Sequence, residues 1–158
     1  MTPIGSTSRD RTVRPLRTED AAAWRTLWAH YHAYGPHGTS EVPEALTLAV
    51  WDRFFREDEP VEALVAETDG RLVGFAHIVF HPTTSNIRPV CSLNDLFVEE
   101  DFHRRGFGRA LLDAVVARAR AVNAERVYWH VRETNETALQ LYDKLASPTG
   151  HVVYRKEL

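Results

Sequence analysis

The stretch Phe102-His103-Arg104-Arg105-Gly106-Phe107-Gly108-Arg109-Ala110-Leu111-Leu112 joins a β-rich segment to a helical one through two glycines and three arginines. Glycine lets the backbone approach a ligand closely and take turns that other residues resist. Successive backbone N–H groups, with the positive end of the following helix, make a site for an anion. Arg104, Arg105 and Arg109 add charge around it, and a pyrophosphate is the natural guest. A phosphate-binding P-loop would need Lys-Ser or Lys-Thr after its last glycine, and neither is present. A dinucleotide fingerprint would need Gly or Ala three residues after Gly108, where Leu111 stands.

Two groups near this loop suit proton chemistry. Asp95 stands on the strand leading into it, and a carboxylate there either binds an ammonium or takes its proton. Tyr142 falls on the apolar face of a later helix with Ala138, Leu141 and Leu145. On that face its plain reading is core. Other candidates are weaker. Cys91 has no helix N-terminus or flanking base, so it reads as a strand residue. His30 and His32 lie on different helix faces. His77 and His81 share a strand face, and two histidines fall short of a metal site.

The elements that position these groups follow from periodicity. Residues 12–17 read as a strand. Thr18 can cap a helix carrying Trp24, Leu27, Trp28 and Tyr31 at helical spacing, and Gly35-Pro36 ends it. A second helix starts near Pro43, with Leu46, Ala49, Val50 and Phe54 on one face. Residues 61–68 and 71–80 are β-rich runs joined by Asp69-Gly70, a strong hairpin signal. Residues 89–98 form a third long strand. A helix with Leu111, Leu112, Val115, Val116 and Ala119 on one face follows the glycine loop. A strand over residues 127–132, a helix over 135–145 and a last strand over 152–156 complete the chain. The order is strand, two helices, three strands, helix, strand, helix, strand. This is α/β (α+β), with an antiparallel sheet first and a βαβ unit in the second half.

The glycine loop resembles the acetyl-CoA loop of the GCN5-related N-acetyltransferase (GNAT) family, Arg/Gln-x-x-Gly-x-Gly/Ala, with His103 in place of the first Arg or Gln. Leu96-Phe97-Val98 before it and Ala110-Leu111-Leu112 after it also match. The run from Asn135 to Leu145 resembles the family's later helix, with Asn135, Ala138, Leu141, Tyr142 and Lys144 in place. The resemblance covers roughly residues 12–157. It implies a central mixed, mostly antiparallel sheet of six to seven strands flanked by about four helices. It implies acetyl-CoA as cosubstrate, no metal, and cofactor contacts from Leu96, Phe97, Val98, His103, Arg104, Arg105, Gly106, Phe107, Gly108, Arg109, Asn135 and Tyr142. Tyr142 would sit near the thioester sulfur. The segments 128–130 and 152–156 look like the subgroup of polyamine, histone and D-amino-acid acetyltransferases. Spermidine/spermine acetyltransferases carry Glu-Asp where this chain has Asn94-Asp95, so only the Asp carries over. The family often forms homodimers through its last strands.

The implied chemistry is transfer of acetyl from acetyl-CoA to a primary amine, a polyamine or other small amine first and a lysine side chain second. An alkylamine with pKa near ~10.4 is neutral in only about one molecule in a thousand at pH 7, so a proton must be removed. Trp28, Tyr31, Asn94 and Asp95 are the candidate acceptor-binding residues, and Trp24 and Trp51 extend the aromatic wall. A non-catalytic acyl-CoA-binding module on the same scaffold is the competing reading.

The chain's bulk properties agree with an enzyme domain. Its 158 residues, 44% hydrophobic and 26% charged, fit one domain over 12–158 behind a polar tail over 1–11. The net charge of -3 gives no bulk drive toward nucleic acid. The single cysteine and the lack of any long apolar run suit the cytoplasm and no membrane. The acids between Glu41 and Glu62, and Arg14 and Arg17, read as solvated faces.

Overall fold

The structure is a computed structural model and describes residues 10–34, 38 and 41–158. The expected helix stop at Gly35-Pro36, and most of the expected N-terminal tail, lie outside the described residues. Strand β1 (Thr12–Pro15) is followed by a 3₁₀ turn (Thr18–Asp20), helix α1 (Ala21–Tyr34) and helix α2 (Glu44–Arg53). Strands β2 (Val61–Thr68), β3 (Arg71–His81) and β4 (Val90–Val98) come next, then α3 (Phe107–Ala121), β5 (Val127–Tyr128) and α4 (Glu136–Tyr142).

The five strands form one sheet in sequence order. β1 to β4 pair antiparallel, and β5 joins β4 in parallel. β2 and β3 read as continuous apolar runs because both sheet faces are covered. On one face Leu64, Ala66, Val73, Ala76 and Ile78 meet Leu111, Leu112 and Val115 of α3. On the other, Ala63, Val65 and Phe75 meet Trp24, Leu27, Trp28 and Tyr31 of α1. Alternate residues of β2 thus serve opposite cores, and β3 does the same on either side of the register shift opposite Ala66 and Glu67. The Asp69-Gly70 turn joins β2 and β3 as expected, with both residues at positive φ.

Several expectations are corrected. The last strand is absent: residues 146–158 have no regular structure, and Val152 and Tyr154 are 74% and 91% exposed. Strand propensity needs a partner surface, and Val152-Val153-Tyr154 pairs with no strand among the described residues. β5 holds two residues instead of six, and among the described residues the sheet has five strands instead of six to seven. Thr18 makes no side-chain cap; the Asp20 carboxylate accepts the Arg17 N–H at 2.8 Å instead. On α2 the buried stripe is Thr47, Val50, Trp51 and Phe54, while Leu46 is 41% exposed. Arg14 is not solvated: its guanidinium bonds Asp20 at 2.7 Å and Glu67 at 2.8 Å, with little of it exposed. Acids expected to be solvated are paired instead, Glu44 of α2 with Arg25, Asp58 of the following turn with Arg56 and Glu62 of β2 with Arg118.

Candidate active site

β4 is the element on which the candidate residues converge. Its pairing with β3 slips between His77 and Ile78: Ile78 faces Leu93, His77 faces Asp95, and Asn94 is the extra residue. A bulge re-aims the side chains that follow it. After it, Asp95 and Phe97 point toward α1, and Leu96 and Val98 join the α3 core. Asn94 itself is exposed and accepts the Ser92 hydroxyl hydrogen at 2.9 Å.

On its other edge β4 pairs with β5 only at Cys91–Val127 and Ser92–Tyr128. Beyond Ser92 the two chains part, and no strand among the described residues covers 93–98 on that side. Backbone N–H and C=O groups along this stretch therefore face a gap, and such groups seek partners. His103 closes one end, its Nε2–H donating to the Val98 carbonyl at 2.7 Å.

The glycine loop sits at the mouth of the gap. Arg104 and Gly106 both adopt positive φ, 58° and 83°. Gly106 is the N-cap of α3 and offers no side-chain cap. The first backbone bond of the helix runs from the Ala110 N–H to the Gly106 carbonyl at 3.0 Å. The N–H groups of Phe107, Gly108 and Arg109 thus lack helical partners, the arrangement that receives an anion. The residues present fit a pyrophosphate by their donors. The arginines are less uniformly disposed than their spacing suggests. Arg105 lies over the Phe102 ring, as does Arg71, and Arg109 pairs with Asp113. Arg11, absent from the sequence reading of the site, donates to the Arg105 carbonyl at 2.7 Å.

α4 lines the far wall. Asn135 caps it, accepting the Ala138 N–H at 3.2 Å, so the cap role is present and its side-chain amide nitrogen is left over for a ligand. Leu141 approaches Gly108, bringing α4 against the start of α3. The Tyr142 ring rests on Trp129 with centroids 5.2 Å apart. Burial pushes the Tyr142 phenol up, which keeps its proton available for donation.

Asp95 is the most constrained of the candidates. Its Oδ1 accepts the Tyr31 hydroxyl at 2.7 Å, and its Oδ2 accepts His77 Nδ1–H at 2.9 Å. Burial pushes the carboxyl up, but the hydrogen bonds from His77 and Tyr31 and the nearby His32 outweigh it and hold it below its usual range. Tyr31 is pushed far up by burial first, then by Asp95 and by the Tyr142 phenol. That last influence puts Tyr142 within electrostatic reach of Tyr31. Trp28 and Phe97 flank Tyr31 at 5.8 and 6.0 Å between ring centroids.

His77 is the site residue that sequence reasoning missed, and Trp24, expected in an aromatic wall, serves as its hydrogen-bond donor. Trp24 Nε1–H donates to His77 Nε2 at 3.1 Å. His81 instead bonds Tyr128 at 2.7 Å. Cys91 is buried, and burial with the Glu62 charge pushes its thiol up to about 11, so it is inert. Among the described residues no three His, Cys, Asp or Glu side chains form a metal-sized group, and no helix is long and apolar enough to cross a membrane.

Comparison with known proteins gives this geometry a lineage. The chain is 34% identical over 148 residues to a D-amino-acid N-acetyltransferase, HPA3, of Saccharomyces cerevisiae, covering 91% of this chain and 89% of that one. It is 31% identical to a mycothiol acetyltransferase of Thermobispora bispora, covering 94% of this chain but only 50% of that protein. A solved aminoglycoside N-acetyltransferase, AAC(6')-Iy in complex with CoA, shares the fold with a TM-score of 0.78 at 19% identity, covering 99% of each chain. The Acetyltransferase (GNAT) family description matches residues 21–146, most of the chain. An anion-receiving helix start, a parted strand pair and a shielded phenol thus stand on a scaffold whose relatives move acetyl groups, and the chain belongs to the acetyltransferase (GNAT) family, an N-acetyltransferase of the kind that uses acetyl-CoA.

Proposed function

We propose that the protein transfers acetyl from acetyl-CoA to a small primary amine, polyamines first among them and lysine side chains second. The observation that carries this reading is the Asp95 carboxylate. It is 22% exposed and lies among Tyr31, Phe97 and Trp28, near Tyr142. An anion walled by aromatic rings suits an ammonium. A free amino acid is a second acceptor reading, favoured by the 34% identity to the D-amino-acid acetyltransferase.

The residues divide the work. Acetyl-CoA supplies an activated acetyl thioester. Backbone donors at Phe107, Gly108 and Arg109, the positive-φ turn at Arg104 and Gly106, and the Asn135 amide would hold its phosphates and arm. Backbone groups of Leu96, Phe97 and Val98 would pair with the arm along the open edge of β4, while His103 braces Val98. Asp95, Tyr31 and Trp28 would seat the amine, with Asn94 at the rim. Tyr142 would donate to the departing sulfur. A phenol near ~10 and a thiol near ~8.5 differ by about 2 kcal/mol, so a strong hydrogen bond is easier than full transfer. Residues 12–158 would act as one domain in the cytoplasm, where the lone buried thiol stays reduced. The exposed Val152, Val153 and Tyr154 offer strand-forming surface to a second copy, hence a homodimer.

Thiol release from acetyl-CoA with spermidine, spermine, lysine peptides, amino acids and aminoglycosides tests this. Release with small amines is expected. Silence across the panel with acetyl-CoA binding retained overturns the acceptor class and favours a binding module.

A further inference from the structure

Four side chains from three elements meet in a chain of hydrogen bonds at the bulge of β4. Trp24 and Tyr31 lie two turns apart on one face of α1. His77 lies on β3 directly opposite Asp95. The bonds run Trp24 Nε1–H to His77 Nε2 at 3.1 Å, His77 Nδ1–H to Asp95 Oδ2 at 2.9 Å, and Tyr31 O–H to Asp95 Oδ1 at 2.7 Å. The order of donation is forced. An indole N–H only donates, so His77 Nε2 must accept and Nδ1 must carry the hydrogen. That hydrogen then points at Asp95.

The surroundings fix this arrangement. The His77 ring is 3% exposed and stacks on Phe75 at 4.2 Å and 8° between planes. Phe54, Trp28 and Trp24 close its other sides. A second proton on Nε2 would break the Trp24 bond inside this aromatic box. His77 therefore offers no exit for a proton arriving at Asp95. The groups facing Asp95 are Tyr31 and His32 from α1 and His77 from β3, with Tyr142 of α4 beyond Tyr31. Tyr31 and His77 present donors and His32 positive charge, and these three favour the anion.

We propose that His77, fixed as its Nδ1–H tautomer by Trp24, is a positioning residue that keeps Asp95 a permanent anion, so that Asp95 anchors the acceptor's ammonium and does not take its proton. The anchoring part rests on the acetyltransferase reading above; the tautomer and the fixed anion do not. A general base works best with a pKa near the operating pH. A carboxylate with a donor on each oxygen is built for the opposite task. Two lone-pair directions on Asp95 remain for an ammonium.

The test starts with the free wild-type protein, without turnover. Imidazole 15N shifts should place the His77 hydrogen on Nδ1. The Asp95 13Cγ signal, assigned with Asp95→Asn, should titrate below the ordinary carboxylate value of about 3.9. A hydrogen on Nε2, or an Asp95 midpoint at or above the ordinary value, overturns the proposal. His77→Leu should raise the Asp95 midpoint by about one pH unit, a tenfold change in proton affinity. His77→Asn, whose amide N–H takes the place of Nδ1–H, should restore it. If His77→Leu does not fold, the wild-type shifts and the Asp95 midpoint in His77→Asn decide. The acid limb of kcat/KM for the acetylated amine should move up with the Asp95 midpoint in His77→Leu and not in His77→Asn. An acid limb that stays put in folded His77→Leu, while the Asp95 midpoint moves, overturns the anchoring role. Wild-type silence toward every amine, with the expected shifts present, counts against the acceptor reading and leaves the fixed anion standing.

Discussion

On the α1 side of β4, Asp95 is held by side chains from two other elements, Tyr31 at 2.7 Å and His77 at 2.9 Å. On the α3 side, the features suited to acetyl-CoA are almost all backbone: the open edge along 93–98, two positive-φ residues and a helix start. On the proposed function, the first region would select by charge placed on particular atoms. The second would receive a phosphate-bearing arm through groups that any sequence possesses once the glycines allow the turn. Separate construction implies separable function. Changes on one side should alter the handling of one substrate and spare the other.

The largest effects should come where the two regions meet the reaction. Tyr142→Phe keeps the ring against Trp129 and removes only the hydroxyl. Its kcat should fall about 10²–10³-fold, the scale of losing a proton donor, with the acetyl-CoA dissociation constant within about threefold of wild type. An unchanged kcat removes Tyr142 from the mechanism. Asp95→Asn should lower kcat/KM for the amine about 10²-fold, as expected for a lost charge-assisted contact. The loss should sit mainly in KM for the amine, because an anchor is removed. A loss confined to kcat would make Asp95 the base and blur the division between the two sides.

The same division decided what the sequence made legible. Coenzyme-side residues fall in two short runs, the glycine loop over 103–109 and the α4 segment over 135–142, and the turn and helix signals within each run are local. Acceptor-side bonds join residues 18, 53 and 64 positions apart. No periodicity reveals that His77 will face Asp95, because a bulge at Asn94 sets that register. His77 read as half of an incomplete metal pair for this reason. Arg14 read as solvated because its partners, Asp20 and Glu67, come from a turn and a neighbouring strand. The hairpin at Asp69-Gly70 and the α1 stripe were legible because turn chemistry and helical spacing are short-range. The strand expected over 152–156 fails for the converse reason. Its composition is right, but a strand is completed by a neighbour, which a local pattern cannot supply.

A network of side chains should also show itself in acid. Asp20 is held below the usual carboxylate range chiefly by Arg14, against the opposing effect of burial, with help from the Arg17 N–H and the charges of both arginines. A depressed carboxyl adds stability above its unfolded value of about 3.9, and that stability is lost as pH falls through the lower folded value. Asp95 acts in the same direction. Thermal unfolding should therefore be nearly flat from about pH 7 to 5 and fall steeply below about pH 4. Asp20→Asn should cost about 2 kcal/mol at pH 7, as for removing the acceptor of buried charge-assisted bonds, and should flatten the acid decline. An equally steep decline in Asp20→Asn would locate the acid-sensitive groups elsewhere.

The smallest effects should separate the two glycines of the loop. Gly106 has φ 83°, and a Cβ there would also run into the Arg11 guanidinium. A side chain in that conformation costs on the order of 1–2 kcal/mol, so Gly106→Ala should raise the acetyl-CoA dissociation constant about tenfold by distorting the turn. Gly108 lies within the helix, and its added Cβ would meet Leu141 Cδ2 at 3.6 Å, an ordinary contact. Gly108→Ala replaces a poor helix former with a good one, a gain of up to about 1 kcal/mol in the helix, and should leave acetyl-CoA affinity within about threefold. Titration of both variants with acetyl-CoA by calorimetry checks the pair, with KM for the amine unchanged in each. Equal losses at both positions would mean that Gly108 also serves close approach to the ligand, and the backbone-built side of β4 would then depend on two glycines where the conformation alone demands one.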